Sequence, residues 1–198
     1  MKILFPNPYG YELPSSDRVA AIQEKYQFSN DYSAFLRQQN GFVISSLEEA
    51  ADSPEYMADS PEEEDGKPDF RVLYGLDSAD KYYDLEEQQH AFIFKDLFFP
   101  IGVDYGGNDF VEILHGKFKG YIASLDHDLY ASCDSQEEFI QEFELDNFAA
   151  LSPSEKADLL ADEEIGLAWL LAPSMSEFTA KSIHCNENFS GYVVDLVS

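Results

Sequence analysis

The chain has 198 residues, 44% of them hydrophobic and 15% aromatic, enough to bury one sizeable core without staples. Its 39 acidic residues against 12 basic ones give a formal net charge of -27, which disfavours nucleic acid and anionic membrane surfaces as partners. Cys133 and Cys185 are too few and too far apart for a metal knuckle or a disulfide framework, so both are expected to be small buried residues in a reducing compartment. No stretch approaches the ~18 apolar residues of a membrane span, and Met1 to Pro6 stops being apolar too soon for a signal peptide. The expected location is the cytoplasm.

In chain order, Asp17 is placed to cap a helix over 18–27, where Val19, Ile22 and Tyr26 recur at helical spacing. Tyr32, Phe35 and Leu36 repeat that spacing, and Asn40-Gly41 ends a second helix. Residues 44–69 then carry ten acids against the single base Lys67, a local net charge of 1 - 10 = -9. Such a run repels itself and resists packing, so it reads as a solvated insertion. Within it Ala51-Asp52-Ser53-Pro54-Glu55 recurs as Ala58-Asp59-Ser60-Pro61-Glu62, each copy suited to one short helical turn.

Residues 70–76 read as a strand, and 80–90 as a polar segment with helical potential. The next segment, 98–128, holds the most positional information in the chain. It reads as strand, Gly-rich turn, strand, tight turn, strand, with Gly106-Gly107 and Gly116 supplying positive φ. Alternation places Val111, Ile113 and His115 on one face and Phe110, Glu112 and Leu114 on the other. Ser135 with Glu138 forms a capping box ahead of Phe139, Ile140 and Phe143, and Ser152 with Glu155 forms another, with Pro153 at the first helical position. An apolar run follows from Ile165 to Leu171, and Tyr192 to Val197 reads as a terminal strand.

Ile101-Gly102-Val103-Asp104, Gly107-Asn108-Asp109-Phe110, Gly120-Tyr121-Ile122 and Leu125-Asp126-His127-Asp128 together resemble the central signature of the SUKH superfamily, which holds bacterial immunity proteins and relatives of a yeast cell-wall regulator. Tyr32 to Leu36 with Gln39-Asn40-Gly41, Val72 to Leu76, and Ser135 to Ile140 resemble flanking pieces in the same order. The likeness covers about 17–144 of a single domain spanning 1–198. One departure stands in it, since Ser29-Asn30 occupies the place of the family's Leu-Pro pair. The resemblance implies an α+β fold with a central, mostly antiparallel twisted sheet and helices packed around it. To this the chain adds the acidic insertion at about 44–69 and a helical C-terminal extension at about 145–198.

Chemical readings of the glycine-rich turn are weak. Asp104, Asn108 and Asp109 are hard oxygen donors, but a calcium loop wants Gly sixth and Glu twelfth, where Asp109 and His115 stand. No Gly-Lys-Ser/Thr follows the glycines as a phosphate loop requires. Turn chemistry favours Asp104 and Asn108 bonding their own backbone. His127 between Asp126 and Asp128 invites a base or metal reading, yet strand neighbours point to opposite faces, and a structural or partner-contacting histidine is expected. No metal and no cofactor is expected. Asp104 and Asp109 would suit acid-base hydrolysis if burial raised one pKa, although 39 acids make chance pairs abundant.

The expectation is a non-enzymatic immunity protein that neutralises a cognate protein toxin. The toxins this family counters include many nucleases, whose substrate surfaces are basic and match an acidic domain. Asp104, Tyr105, Asn108, Asp109, Glu112 and Asp128 are the expected partner-binding residues. Two alternatives stay open: a regulatory or scaffold protein of the same fold, and an acidic hydrolase.

Overall fold

In a computed structural model, residues 13–43, 56–58, 70–78, 80–104, 106–162 and 164–185 are described. The acidic insertion outside 56–58, Tyr105 and the expected strand at 192–197 lie outside them. The centre of the fold is the meander expected from 98–128: β4 (Phe98–Asp104), β5 (Asp109–Ile113) and β6 (Ile122–Leu125). Five more described strands, β1 (Phe42–Val43), β2 (Tyr56–Ala58), β3 (Phe70–Leu73), β7 (Ala168–Ala172) and β8 (Ile183–Cys185), precede and follow it. Six of these eight form one antiparallel sheet in the order β1-β3-β4-β5-β6-β7. The remaining two, β2 and β8, pair with each other, and the repeats expected to form helical turns lie outside the described residues apart from Ala58.

Through β4, β5 and β6 both faces of the sheet are buried, and alternation sorts the side chains between two cores. Against one face pack α1 (Ser16–Tyr26), α2 (Asn30–Gln38) and α7 (Met175–Ser182). Val19, Ile22, Tyr32, Leu36 and Phe178 meet Phe99, Ile101, Phe110 and Ile122 there. Against the other face pack α5 (Gln136–Glu142), a 3-10 turn at Phe148–Ala150 and α6 (Pro153–Leu160), bringing Phe139, Phe148 and Leu160 onto Phe98, Val111, Ile113 and Leu125. The face assignment made from alternation holds, with Phe110 and Leu114 in the first core and Val111 and Ile113 in the second. His115 lies beyond the end of β5.

Helix ends follow the capping chemistry, with two adjustments. Ser15 rather than Asp17 caps α1, its Oγ accepting from the Arg18 N–H at 3.1 Å. Ser152 and Glu155 form the full reciprocal box at α6, with Pro153 beside it. At α5 Ser135 caps Glu138 as expected, but the Glu138 carboxylate accepts from the Asp134 N–H instead of closing the box. The polar stretch after β3 forms α3 (Leu85–Ala91), capped by Asp84.

The C-terminal extension is not only helical, which corrects the sequence expectation. Its apolar run becomes β7, which pairs with β6, and α7 closes the first core. Asp31 on α2 ties this closure, accepting from the backbone N–H of Ser176 at 2.6 Å and from its hydroxyl. An apolar run of this length does not by itself separate strand from helix, and the pairing that decides it spans more than forty residues.

The approach of β3 to β4 sets the tightest constraint. A Cβ on Gly102 would stand 2.2 Å from the Val72 carbonyl oxygen and 2.6 Å from Leu73 Cδ2. Pro100 sits beside a bulge in the β4–β5 ladder, where its missing N–H is tolerated. Gly102→Ala is expected to cost about 3 kcal/mol by overpacking, a drop of roughly 6–12 °C in Tm for a chain of this size. Thermal unfolding checks it, and a Tm at the wild-type value would refute the close approach.

Candidate functional site

The expected docking residues cluster around the β4–β5 turn, and the structure gives most of them architectural work. Asp104 is only 3% exposed. One of its carboxylate oxygens accepts from the Asn108 backbone N–H at 2.8 Å and the other from the Asn108 Nδ2 at 2.8 Å. The Asp104 backbone N–H closes the turn on the Asn108 carbonyl at 3.0 Å. Gly107 takes φ 93°, the left-handed conformation that the turn demands, whereas Gly106 does not adopt positive φ. This is the self-bonded turn that its residue types predict.

The turn is also fastened to the chain beyond β6. Asn108 Oδ1 accepts from the His127 backbone N–H at 3.0 Å. The Asp126-His127-Asp128 string is not a strand end: Asp126 caps the single helical turn α4 (His127–Tyr130), accepting from the Asp128 N–H at 3.0 Å. His127 and Asp128 are therefore neighbours in a helical turn, not in a strand. His127 Nδ1 lies 3.8 Å from Asp128 Oδ1, and the Asp128 side chain is 98% exposed. The His127 ring instead lies beside Gly107, 3.6 Å from where a Cβ would stand.

Asp109 turns its carboxylate to the Tyr130 hydroxyl, which donates to Oδ2. Burial pushes this acid up to about 6, against the lowering effects of the Tyr130 hydrogen bond and of His127, while Asp104 adds to the rise. The Tyr130 phenol is raised by burial and by the facing carboxylate. Glu112 is 1% exposed and lies on the opposite face, in the first core. Its carboxylate accepts from the Ser29 backbone N–H at 2.6 Å and from the Ser29 hydroxyl at 2.9 Å. Ser29 Oγ accepts in turn from the Tyr32 N–H, capping α2. Burial pushes Glu112 up to about 7, partly offset by the Ser29 donors.

Among the expected partner-binding residues within the described segments, Asp128 is fully on the surface. Asn108 and Asp109 are half-buried, and Asp104 and Glu112 are buried. Asp104 and Glu112 therefore cannot form a docking face, because each is enclosed and committed to bonds within the fold. The Ser29–Glu112 pair is the feature that sequence reasoning missed. Two signals pointed to it: Glu112 shares its face with Phe110 and Leu114, and Ser29 stands where the resembled pattern has an apolar residue.

As a chemical arrangement, Asp109 with Tyr130, His127 and Asp104 is an acid held partly protonated near neutrality beside a hydroxyl. Both Asp104 oxygens are taken by Asn108. Among the described residues no group of three or more His, Cys, Asp or Glu side chains is placed to hold a metal ion. Cys133 is buried, and burial and Glu142 push its thiol up, away from the reactive thiolate. Among the described residues no helix is long and apolar enough to cross a membrane. A concavity of about 710 Å³ lies elsewhere, beside β7, lined by Phe118, Gly166, Trp169 and Leu170 with Asp162 and Glu164 at its margin.

Fold and site together define an α+β protein with an antiparallel sheet whose β4–β5 turn serves the architecture. No family model, no characterised protein and no solved structure matches the chain.

Proposed function

We propose that this is a non-enzymatic binding protein of the immunity class, which neutralises a protein toxin by covering a basic surface on it. The observation that carries this reading is charge. An excess of 39 - 12 = 27 negative charges is far beyond the ~2–8 that suffices for solubility of a small domain. Such a field speeds encounter with a cationic protein and repels competing nucleic acid. The resemblance of the 98–128 segment to the SUKH signature supplies the class, and a nuclease is the toxin chemistry that best matches the charge.

The docking surface is reassigned from the buried turn carboxylates to exposed groups such as Asp128. The test is co-expression with the toxic C-terminal domain encoded by a neighbouring gene for a large secreted protein. The expected result is restored growth and a stable complex whose association slows steeply as salt is raised. Absence of protection with no complex at low salt overturns the assignment and leaves the regulatory or scaffold alternative.

A further inference from the structure

The sheet ends at β7, and among the described residues no strand pairs with its outer side. A strand open on one side offers a row of backbone donors and acceptors to another chain. Native edges are commonly guarded by lysine, proline or short length. β7 instead reads Ala168-Trp169-Leu170-Leu171-Ala172, and its bulge falls at Leu171, after the exposed pair. Trp169 is 65% and Leu170 40% exposed, on opposite faces of the strand. The concavity of about 710 Å³ is lined by Ala168, Trp169 and Leu170 of this strand together with Phe118, Asp162 and Glu164. Among the described residues that line it the one cation is Lys117, whose ammonium lies 4.6 Å from the centre of the Phe118 ring.

We propose that the outer edge of β7 takes up an extended segment of a basic partner protein as an added strand. An apolar side chain of that segment sits in the concavity against Phe118 and Leu170, and its cationic neighbours meet Asp162 and Glu164. Charge selects this occupant. A second copy of the chain would bring another -27 to the same edge, and nucleic acid would bring phosphates. Strand addition supplies affinity through main-chain bonds, while the side-chain alternation of the added strand sets specificity. This proposal rests on the binding-protein reading and names the surface through which it acts.

Trp169 is the only tryptophan of the chain, so the edge carries its own reporter. The probes are three short blocked peptides: alternating lysine and valine, alternating glutamate and valine, and alternating lysine and proline, which has the charge but lacks half the ladder donors. Titration at low salt is expected to shift Trp169 emission to the blue with the lysine-valine peptide alone. Leu170→Lys, with unchanged circular dichroism, is expected to weaken that binding by about tenfold or more. Equal binding of the lysine-proline peptide would reduce the effect to charge, and an unaffected Leu170→Lys would remove the groove. An indole already shielded from acrylamide in the free protein would mean that another part of the chain fills the edge. Salt-promoted dimerisation abolished by Leu170→Lys would give the edge to a second copy. Each of these four outcomes overturns the proposal.

The same variant separates this inference from the function on which it rests. If wild type protects in co-expression and Leu170→Lys protects equally, the edge is wrong and the function stands. If the peptide binds as expected but wild type gives no protection, the function falls and the edge stands.

Discussion

Replacing Asn40 by alanine is expected to lower stability by about 4 kcal/mol and Tm by roughly 8–16 °C. Asn40 is fully buried after the end of α2 and takes φ 48°. Its Oδ1 accepts from the Leu76 backbone N–H at 2.8 Å, and its Nδ2 donates to the Leu76 carbonyl at 3.1 Å. One side chain thus satisfies both polar groups of a buried residue, as a neighbouring strand would. Removing it leaves two buried backbone groups unpaired, at about 1–3 kcal/mol each, and an alanine in left-handed backbone adds about 1 kcal/mol more. Asn40→Gly separates the two causes, since glycine accepts the backbone angle but not the bonds. It is expected to recover about 1 kcal/mol relative to alanine in urea unfolding. Recovery to wild type would show that the hydrogen bonds contribute nothing.

Stability is expected to fall as pH rises from 5 to 8, the reverse of ordinary acid denaturation. The folded state holds Glu112 at about 7 and Asp109 at about 6, mainly through burial, against ordinary values of 4.5 and 3.8. A carboxyl raised by folding stabilises fully below its unfolded pKa, and that contribution is lost as pH rises through the folded one. At about 1.4 kcal/mol per pH unit, Glu112 alone accounts for a loss of about 3 kcal/mol. Glu112→Gln keeps an acceptor for the Ser29 N–H and removes the ionisation. Its stability is expected to match wild type at pH 5 and to exceed it at pH 8. Repulsion among the surface acids acts in the same direction, so the series belongs in high salt, which screens it. A wild-type stability flat across this range would remove the buried-carboxylate account.

The meander and its face assignment were legible because alternating residues and paired glycines act locally. Phe110, Val111, Ile113 and Leu114 could be sorted without knowing what covers them. Glu112 was misplaced for the opposite reason. Its burial depends on Ser29, which the chain brings from 83 residues away, and the apolar face it shares with Phe110 and Leu114 does not name that partner. The extension was expected to be helical because the uninterrupted apolar run of β7 carries no strand period of its own, and its pairing with β6 makes it a strand. The acid-flanked histidine misled because Asp126 works as a helix cap, a role set by the helical turn that starts at His127 rather than by the charge of its neighbours.

The late arrival of α7 bears on how the chain is made. Phe110 on the central strand packs against Phe178 with ring centroids 5.4 Å apart. Asp31 waits for Ser176 across 145 residues. At a synthesis rate of ~5–20 residues per second, the meander is complete several seconds before its covering helix emerges. During that interval Phe110 lacks its Phe178 contact and the β6 edge that β7 will pair is open. Strands of neighbouring copies can add to an edge left open in this way, and the strong negative charge of the chain opposes that addition.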